Sequence, residues 1–275
     1  MTDAVGIIAG SGTLPKLLAQ TLKAQDKTYT LIGLDGFCQP DWLAEHPHVR
    51  LRIGAMGSMI DHFRRAGVRR LCFAGGVTRP SLRSLMPDVK ALKLAGELMM
   101  RGLGDDGVLS KIAAAFEAEG FVITSAQDLL PSLLARRGVM GRAKPSRQNE
   151  ADIIRGRAVL AAMSEADVGQ GCVVCEHIVL AVEAFEGTDA MIARAGQLRP
   201  SASGGVLIKA AKTTQDVRLD APTIGPDTIK AAKAAGLAGV AIQAGRVLVI
   251  DQAQVIAQAD QAGKAGRAGF FLTAF

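Results

Sequence analysis

The first half of the chain alternates short apolar runs with stretches of helical periodicity, and this alternation limits the possible folds more than any other feature. The apolar runs predict β-strands over 5–9, 28–34, 70–74 and 121–125. The helical stretches predict helices over 14–25, 56–66, 88–101 and 107–118. Strands that alternate with helices are typical of a parallel sheet with crossover helices. The sequence therefore predicts an α/β protein with a Rossmann-like parallel-sheet domain at its N-terminal end.

The second half of the chain mixes β-rich and helical segments differently from the first half and predicts a mixed α/β domain. Its β-rich segments are 171–186, with a turn near Glu176 and His177, and 205–210, followed by an apparent hairpin of 240–243 and 246–250. Its helical segments are 149–163, 188–197, 227–235 and 251–261, and Ser146 is a candidate cap for the first of them.

A segment at 138–148 breaks the periodicity between the two halves. It is rich in Gly, Lys, Arg and Pro, a composition typical of a linker. We therefore expect a Rossmann-like N-terminal domain over 1–137, a linker over 138–148, and a catalytic α/β domain over 149–275.

Composition limits the class of partner. The formal net charge is +6, which favours an anionic partner such as a phosphorylated substrate or an acidic membrane surface, although a mild charge excess without functional meaning is the alternative. One Trp, one Tyr and the lack of a dense basic run with interleaved aromatics argue against nucleic acid. No stretch approaches the ~20 apolar residues of a membrane-spanning helix. None resembles a signal peptide, so we expect a cytoplasmic protein.

The four cysteines fit a reducing compartment. Cys172 and Cys175 form a CxxC pair inside an apolar run. Residues three apart on a strand point to opposite faces, so this pair could not share a metal ion there. Buried core thiols are the predicted role.

A glycine-rich turn follows the first predicted strand and opens the first predicted helix. In Gly10-Ser11-Gly12 the backbone N–H groups could approach a phosphate at the positive end of the helix. Asp35 ends the second strand, where a dinucleotide site keeps its ribose-binding acid, but Pro15 replaces the third glycine of that fingerprint. A phosphate or nucleotide contact and a plain tight turn therefore both stay open.

Two further loops carry candidate ligands for an anion or a cation. Arg79 follows the third predicted strand and could hold a phosphate with its planar guanidinium, or could be an ordinary surface arginine. Asp105 and Asp106 precede a helix, where carboxylates could bind a hard cation or simply cap the helix.

The densest group of charged residues lies from 183 to 228. Its acidic members are Glu183, Glu186, Asp189, Asp216, Asp220 and Asp227, and its basic members are Lys209, Lys212 and Arg218. If 215–220 is extended, its two carboxylates and its arginine share one face. Carboxylates hold Mg²⁺, whereas lysine and arginine neutralise phosphoryl oxygens. The alternatives are a solvated charged strand and, for Asp227, an ordinary residue of a helix first turn.

Covalent catalysis is not favoured. None of the four histidines has metal-ligand spacing with a carboxylate, and the chain contains neither a GxSxG motif nor a Cys/His pairing.

Nine segments spread along the chain match one family. They are AGSGTLP at 9–15, GGVTRPSL at 75–82, GDDGVL at 104–109, DLLPSLL at 128–134, VGQGCVV at 168–174, LAVEAFEGTDAM at 180–191, GGVLIKAAK at 204–212, QDVRLDAPTIGPDT at 215–228 and AGRVLVID at 244–251. On these segments the chain resembles the bacterial UDP-2,3-diacylglucosamine pyrophosphatases of the LpxI family. It departs at Thr213-Thr214, where the family usually has Pro-Gly, and in the turn at 176–178.

The resemblance implies a fold, a reaction and partners. The fold is a Rossmann-like domain and a second domain of less common fold, joined by a linker. The reaction is hydrolysis of the diphosphate of UDP-2,3-diacylglucosamine to lipid X (2,3-diacylglucosamine 1-phosphate) and UMP, in lipid A biosynthesis. A divalent metal, Mg²⁺ by default, and a homodimer are also implied. We expect the protein at the inner face of the inner membrane, with the acyl chains of the substrate in an apolar cleft between the domains.

The charged residues, taken together with this reaction, lead to a hypothesis about the role of each residue. The candidate metal ligands are Asp189, Asp216, Asp220 and Asp227. The candidate catalytic residues are Asp216, Asp220, Asp227, Lys209, Lys212 and Arg218. The candidate substrate-binding residues are Gly10, Ser11, Gly12, Arg79, Thr188 and Thr223. Two other classes stay open: an NAD(P)-dependent oxidoreductase, and a non-catalytic regulator that binds a nucleotide or a lipid.

Overall fold

The structure is a computed structural model. It describes residues 4–77, 88, 105–199, 204–213, 215–261 and 269–275, with the backbone alone at 105–108. The chain divides into two compact units. The first unit comprises Met1–Pro131 together with Asp216–Asp220, and the second comprises Ser132–Gln215 together with Ala221–Phe275.

The first unit is built on a five-stranded parallel sheet. Its strands are β1 Ala4–Ala9, β2 Tyr29–Leu34, β3 His48–Leu51, β4 Val68–Ala74 and β5 Val122–Ile123. They lie in the order β3-β2-β1-β4-β5, and every pairing is parallel. This is the strand order of a doubly wound dinucleotide-binding sheet. The predicted Rossmann-like fold is therefore confirmed.

Three of the four described helices of the first unit were predicted, and the short fourth helix was not. They are α1 Leu14–Ala24, α2 Met56–Arg65, α3 Asp105–Ala118 and the short α4 Ala126–Leu129. Along α2 the buried residues Met56, Met59, Ile60 and Phe63 recur at the spacing of one helix face. Burying each such side chain contributes about 1.5–3 kcal/mol, so this face holds α2 in place. The helix predicted over 88–101 lies outside the described residues, apart from residue 88.

The second unit contains a six-stranded mixed sheet, which confirms the predicted mixed α/β class. Its strands are β6 Gly138–Val139, β7 Gly171–Cys175, β8 Ile178–Val182, β9 Val206–Lys209, β11 Gly239–Ile242 and β13 Phe271–Ala274. The order is β6-β13-β11-β9-β7-β8, with β9, β11 and β13 parallel and the other pairings antiparallel. The strands β8, β9, β11 and β13 therefore all end at one edge, which we call the carboxyl edge of the second sheet.

Helices and a second small sheet complete this unit. The helices are α5 Arg147–Glu165, α6 Gly187–Leu198, α7 Pro226–Ala234 and α8 Gln252–Asp260. As predicted, Ser146 caps α5: its hydroxyl accepts from the N–H of Asn149 at 3.2 Å. The strands β10 Thr223–Ile224 and β12 Leu248–Val249 pair in parallel. None of the helices described is long and apolar enough to cross a membrane.

The turn predicted at Glu176 and His177 is confirmed, and a residue that sequence reasoning overlooked holds it. Both residues have positive φ, 50° and 66°, so β7 and β8 can join through a two-residue turn. The carboxylate of Asp152, a buried residue of α5, accepts from the N–H of His177 at 2.8 Å and of Glu176 at 3.2 Å. Asp152 is thereby satisfied where an isolated buried carboxylate would be costly.

Cys172 and Cys175 are buried free thiols on β7, as predicted. Burial raises the pKa of Cys172 to about 12. Since the thiolate is the reactive form and the metal ligand, this cysteine is chemically inert in the folded protein.

The hairpin predicted over 240–250 is wrong. β11 pairs in parallel with β9 and β13, whereas β12 pairs in parallel with β10 in the small sheet. The N–H of Gln243 donates to the carbonyl of Lys209 at 2.9 Å, which extends the β9–β11 ladder. The short turn that follows therefore connects two sheets, not two paired strands.

Part of the segment 138–148, predicted to be a linker, pairs with the second sheet. Gly138 and Val139 form β6, which pairs antiparallel with β13, and Ala143 bridges to Phe271. The sequence analysis did not predict β13. Pairing with this strand satisfies backbone N–H and C=O groups that would be exposed to water in a linker.

Candidate functional site

The glycine-rich turn of the first unit is fixed by backbone pairing with the loop after β4. The N–H of Ser11 donates to the carbonyl of Gly76 at 2.8 Å, and the N–H of Gly76 donates back to Ser11 at 3.0 Å. A Cβ atom built on Gly10 would lie 2.5 Å from the carbonyl oxygen of Gly76, so only glycine permits this approach. The two loops therefore form one rigid surface at the carboxyl ends of β1 and β4.

The outer part of this turn is open. Ser11, Gly12 and Thr13 are exposed, and a Cβ built on Gly12 would meet nothing within 4 Å. They lead directly into α1, whose first N–H groups carry the positive end of the helix dipole. The N–H groups of Gly10 and Ser11 already donate to the carbonyls of Ala74 and Gly76, both at 2.8 Å, so the predicted phosphate contact stays a prediction for the exposed outer part of the turn. Arg79, the neighbouring candidate, lies outside the described residues.

The segment Asp216–Asp220 of the first unit is a turn, so the condition that 215–220 is extended is not met. The N–H groups of Leu219 and Asp220 donate to the carbonyl of Asp216 at 2.9 and 3.3 Å, in the manner of a single helical turn. Leu219 is buried in the apolar cluster that contains Phe116 and Phe121. Burial of this one leucine favours the turn over a strand with one charged face.

Asp216 and Arg218 nevertheless meet, through the turn. Arg218 binds the Asp216 carboxylate with Nε and Nη2 and reaches Glu117 with Nη1 at 3.3 Å. The hydrogen bonds from Arg218 lower the pKa of Asp216, and the same pairing raises the pKa of Arg218. The neighbouring Asp220 is exposed at the end of the turn.

Three side chains of the second unit form a continuous hydrogen-bonded chain at the carboxyl edge of its sheet. Lys209 ends β9, Glu183 directly follows β8, and Thr188 lies in the first turn of α6. Nζ of Lys209 donates to Oγ1 of Thr188 at 2.5 Å, and the Thr188 hydroxyl donates to Oε1 of Glu183 at 2.6 Å. Glu183 also accepts from the N–H of Gln170 at 3.3 Å. The sequence puts Lys209 and Thr188 forward but not the partnership with Glu183.

Lys212 has a separate partner in the loop after β9. Its Nζ lies 2.5 Å from Oδ1 of Asp167, which follows α5, and the lysine is largely buried. Thr213 ties the same loop to α5, because its N–H donates to the Ser164 hydroxyl at 2.7 Å. The family's usual proline lacks a backbone N–H and could not make this bond. No sequence signal pointed to Asp167.

The remaining predicted residues are dispersed within the second unit. Asp189 and Asp227 are exposed in the first turns of α6 and α7, and Asp227 pairs with Lys230 at 2.9 Å. First-turn carboxylates are stabilised by the helix dipole, which is the structural alternative for both residues. Thr223 lies on β10, and its hydroxyl donates to the carbonyl of Ala221 at 3.0 Å.

The predicted metal ligands do not form a ready-made metal site. Among the side chains that the structure describes, no three His, Cys, Asp or Glu residues form a group that could hold a metal ion. Asp216 is directed toward Arg218, and Asp227 toward Lys230. The described residues therefore do not fit a metal held by protein ligands alone.

Comparison with known proteins gives a consistent family. The LpxI N-terminal domain matches residues 4–133, and the LpxI C-terminal domain matches residues 136–265. The UDP-2,3-diacylglucosamine pyrophosphatase LpxI of Caulobacter vibrioides is 41% identical over 266 residues, which cover 94% of this chain and 95% of that protein. The crystal structure of isoflavone reductase aligns with 94% of this chain and 74% of the reductase chain, at 12% identity and a TM-score of 0.33. With both domains matched and a relative aligned over nearly its whole length, this chain belongs to the LpxI family.

Proposed function

We propose that this protein hydrolyses the diphosphate of UDP-2,3-diacylglucosamine to lipid X and UMP, a step of lipid A biosynthesis. The observation that carries the proposal is the 41% identity to the Caulobacter pyrophosphatase, which extends over 94% of this chain and therefore over both units. Family membership does not favour the oxidoreductase or the non-catalytic regulator. The carboxylate of Asp35, which a dinucleotide site would use, is paired with Arg50 at 3.1 Å.

The cations of the structure support a phosphoryl-transfer reaction. Lys209, Lys212 and Arg218 are each held by a partner side chain, namely Thr188, Asp167 and Asp216. A cation that is already oriented stabilises charge on phosphoryl oxygens without reorganising during the reaction. In the proposed reaction the oxygen of water attacks one phosphorus and the bridging P–O bond breaks. The departing phosphate takes the bond's electron pair, and the protons of the water pass to the solvent.

The glycine-rich turn is the proposed contact for a phosphate of the substrate. Gly10, Ser11 and Gly12 lead into α1, and Ser11 and Gly12 are exposed. Anions bind well at such helix ends because N–H groups and the helix dipole both favour negative charge.

Magnesium dependence is part of the proposal and needs its own test. Mg²⁺ commonly binds through one or two carboxylates together with substrate phosphates, and not in an all-protein cage. This mode of binding does not require three protein ligands, and the described side chains contain no group of three His, Cys, Asp or Glu residues that could hold a metal ion. Asp189, Asp216, Asp220 and Asp227 are the proposed sources of the carboxylate, and no step of the reaction is assigned to the metal.

We also propose a homodimer that works at the inner face of the inner membrane. The net charge of +6 favours attraction to anionic lipid headgroups. Sedimentation of the purified protein measures the dimer, and co-sedimentation with anionic and neutral vesicles measures the membrane contact. A monomer, or equal retention by both vesicle types, would contradict the respective part.

The decisive experiment measures UMP release from UDP-2,3-diacylglucosamine, with Mg²⁺, without it, and after EDTA. We expect metal-dependent release of UMP and of lipid X in equal amounts. Reaction in ¹⁸O-labelled water then shows which product carries the new oxygen and hence which phosphorus is attacked. A folded protein that releases no UMP from authentic substrate would overturn the proposed function.

Two variants test the assigned aspartates. Asp220→Ala and Asp227→Ala remove carboxylates that are exposed, so neither should unfold the protein. We expect at least one of them to lower kcat by about 100-fold. Wild-type turnover in both variants would refute these roles while leaving the reaction itself in place.

A further inference from the structure

The hydrogen-bonded chain of Lys209, Thr188 and Glu183 has a defined direction. An ammonium group only donates hydrogen bonds, so the oxygen of Thr188 accepts from Lys209 at 2.5 Å. The hydroxyl hydrogen of Thr188 is then directed to Oε1 of Glu183, 2.6 Å away. Thr188 thus transmits the position of the carboxylate to the ammonium.

The carboxylate at the end of this chain is itself fixed. Glu183 is only 9% exposed and accepts from the N–H of Gln170. A Cβ built on Gly171 would lie 2.8 Å from Oε2 of Glu183, so the glycine leaves space for the carboxylate. The backbone N–H of Glu183 donates to the carbonyl of Gly171 at 2.8 Å. The position of the Glu183 carboxylate is therefore fixed.

Stability alone gives a weak reason for this arrangement. Lys209 is 4% exposed, and desolvating a lysine and a glutamate is often more costly than burying apolar residues of similar size. The direct Lys209–Glu183 contact is also long, at 3.5 Å, compared with about 2.8 Å for a good charge-assisted bond. Glu183 thus holds the ammonium mainly through Thr188.

The ammonium retains capacity to bind a ligand. Lysine has three N–H donors, and the described partners of Lys209 are Thr188 and Glu183, which use two. Lys209 ends a parallel strand at the carboxyl edge of the second sheet, where loops of α/β sheets commonly bind ligands.

We propose that Glu183 is a positioning residue that acts through Thr188 to aim the ammonium of Lys209 at a phosphoryl oxygen. This inference deepens the proposed function and rests on it for the identity of the phosphoryl group. In this proposal Lys209 is the catalytic residue of the three, because it alone is assigned a contact with the substrate. Thr188, a candidate substrate-binding residue from the sequence, is reassigned to positioning. Glu183 and Thr188 determine where its charge is placed.

Four variants test the hydrogen-bonded chain of Glu183, Thr188 and Lys209, which we call the relay. Thr188→Val removes the hydroxyl and keeps the shape, Thr188→Ser restores the hydroxyl, and Glu183→Gln removes the charge of the carboxylate. Thr273→Val is the control, because Thr273 is another threonine of this unit, and its hydroxyl donates to the carbonyl of Gly138 at 3.1 Å. Thr273 is buried, whereas Thr188 is partly buried. Thr273 has no place in the proposed machinery.

We expect Thr188→Val to lower kcat by about 30- to 100-fold, as displacing a reacting group by an ångström does, with KM changed less than about threefold. Thr188→Ser should recover most of the loss. The double variant Glu183→Gln/Thr188→Val should be no slower than the slower single variant, because both changes act on one ammonium. Thr273→Val should lower Tm by a similar amount and leave kcat intact.

Two results would overturn the inference. One is a fall in Tm for Thr188→Val and Glu183→Gln with kcat unchanged, as in the control. The other is multiplication of the two single effects in the double variant, since independent roles would then be shown.

Failure of the proposed function is distinguishable from failure of the relay. If wild-type protein releases no UMP, calorimetric titration with inorganic pyrophosphate still tests the relay. Weaker pyrophosphate binding by Lys209→Met and Thr188→Val, but not by Thr273→Val, would support the positioning role. Equal affinity in all four proteins would refute it.

Discussion

The guanidinium of Arg218 binds both carboxylate oxygens of Asp216, with Nη2 2.7 Å from Oδ2 and Nε 3.0 Å from Oδ1. The backbone N–H of Arg218 donates to the same carboxylate at 3.0 Å. Three donors from one residue hold Asp216 ionised and limit the directions that Arg218 can take. Asp216 is therefore an orienting partner of a cation as well as a candidate metal ligand.

Loss of this pair should affect turnover more than stability. Both side chains are partly exposed, and exposed ion pairs contribute about 0–1 kcal/mol, so Asp216→Asn should change the free energy of unfolding little. If Arg218 contacts a phosphoryl oxygen, Arg218→Ala should lower kcat/KM by about 100-fold. Urea denaturation and UMP release measure the two effects.

Arg50→Ala is the matched control for this prediction. Arg50 pairs with Asp35 in the same unit at 3.1 Å, and its side chain is exposed to a similar extent. It should leave kcat/KM unchanged. Equal activity of the Arg50 and Arg218 variants would refute a role for Arg218 in catalysis.

The two glycines of the first turn should respond differently to alanine. Gly10→Ala places a Cβ 2.5 Å from the carbonyl oxygen of Gly76, and such overpacking costs about 1–3 kcal/mol. Gly12 has a φ of 91° with open space around it, so alanine there costs about 1 kcal/mol of backbone strain. If a phosphate binds over this turn, Gly12→Ala should also raise KM severalfold.

Gly36→Ala separates the backbone strain from the effect on binding. Gly36 lies in the same unit, has a φ of 82° and is also surrounded by open space. It should match the loss of stability of Gly12→Ala without changing KM. A KM increase in both variants would count against a phosphate site at the first turn.

Stability of the first unit should fall as the solution becomes mildly acidic. Burial lowers the pKa of both His46 and His62 below the ordinary value of 6.5. The unfolded chain therefore takes up protons near pH 6.5 before the folded chain does. The stability linked to the neutral rings is present above this pH and is lost as pH falls toward the lower, folded-state pKa.

Urea titrations between pH 5 and 8 measure this dependence. The denaturation midpoint should rise with pH across the window, and His46→Gln should reduce the rise. A midpoint that is constant, or that falls with pH, in the wild-type protein would show that the two rings are not the cause.

An exposed phenylalanine gives a test of acyl-chain recognition. Phe185 is 91% exposed in the turn between Glu183 and α6. Burying such a side chain against an acyl chain contributes about 1.5–3 kcal/mol, so Phe185→Ser should raise KM for the natural substrate by about 10- to 100-fold. KM for a short-chain analogue should change little.

Ile154→Ser is the control for this variant, because Ile154 is a similarly exposed apolar residue of the same unit on α5. It should leave both KM values unchanged. An equal effect of Phe185→Ser on long-chain and short-chain substrates would exclude contact with the acyl chains.

Local patterns were sufficient to predict most elements of the first unit. The run at 5–9 becomes β1 because a short apolar run that ends at a glycine-rich turn fits a strand buried on both faces. The glycine-rich turn and the burial of the two cysteines of β7 were also predicted correctly. The residues next to each motif are apolar, which leaves few alternative structures for it. In each case the pattern that allows the prediction lies within a few residues along the chain.

The sequence by itself determined the parallel α/β first half, the mixed second half, the family and the types of charged residue proposed to act on a diphosphate. Only the tertiary structure decided how those charges are paired. The Lys209–Glu183 contact joins residues 26 positions apart, and the Arg218–Glu117 contact joins residues 101 positions apart. Such partners depend on which strands become neighbours and on where Leu219 is buried. Those are properties of the packed core, and no periodicity along the chain records them.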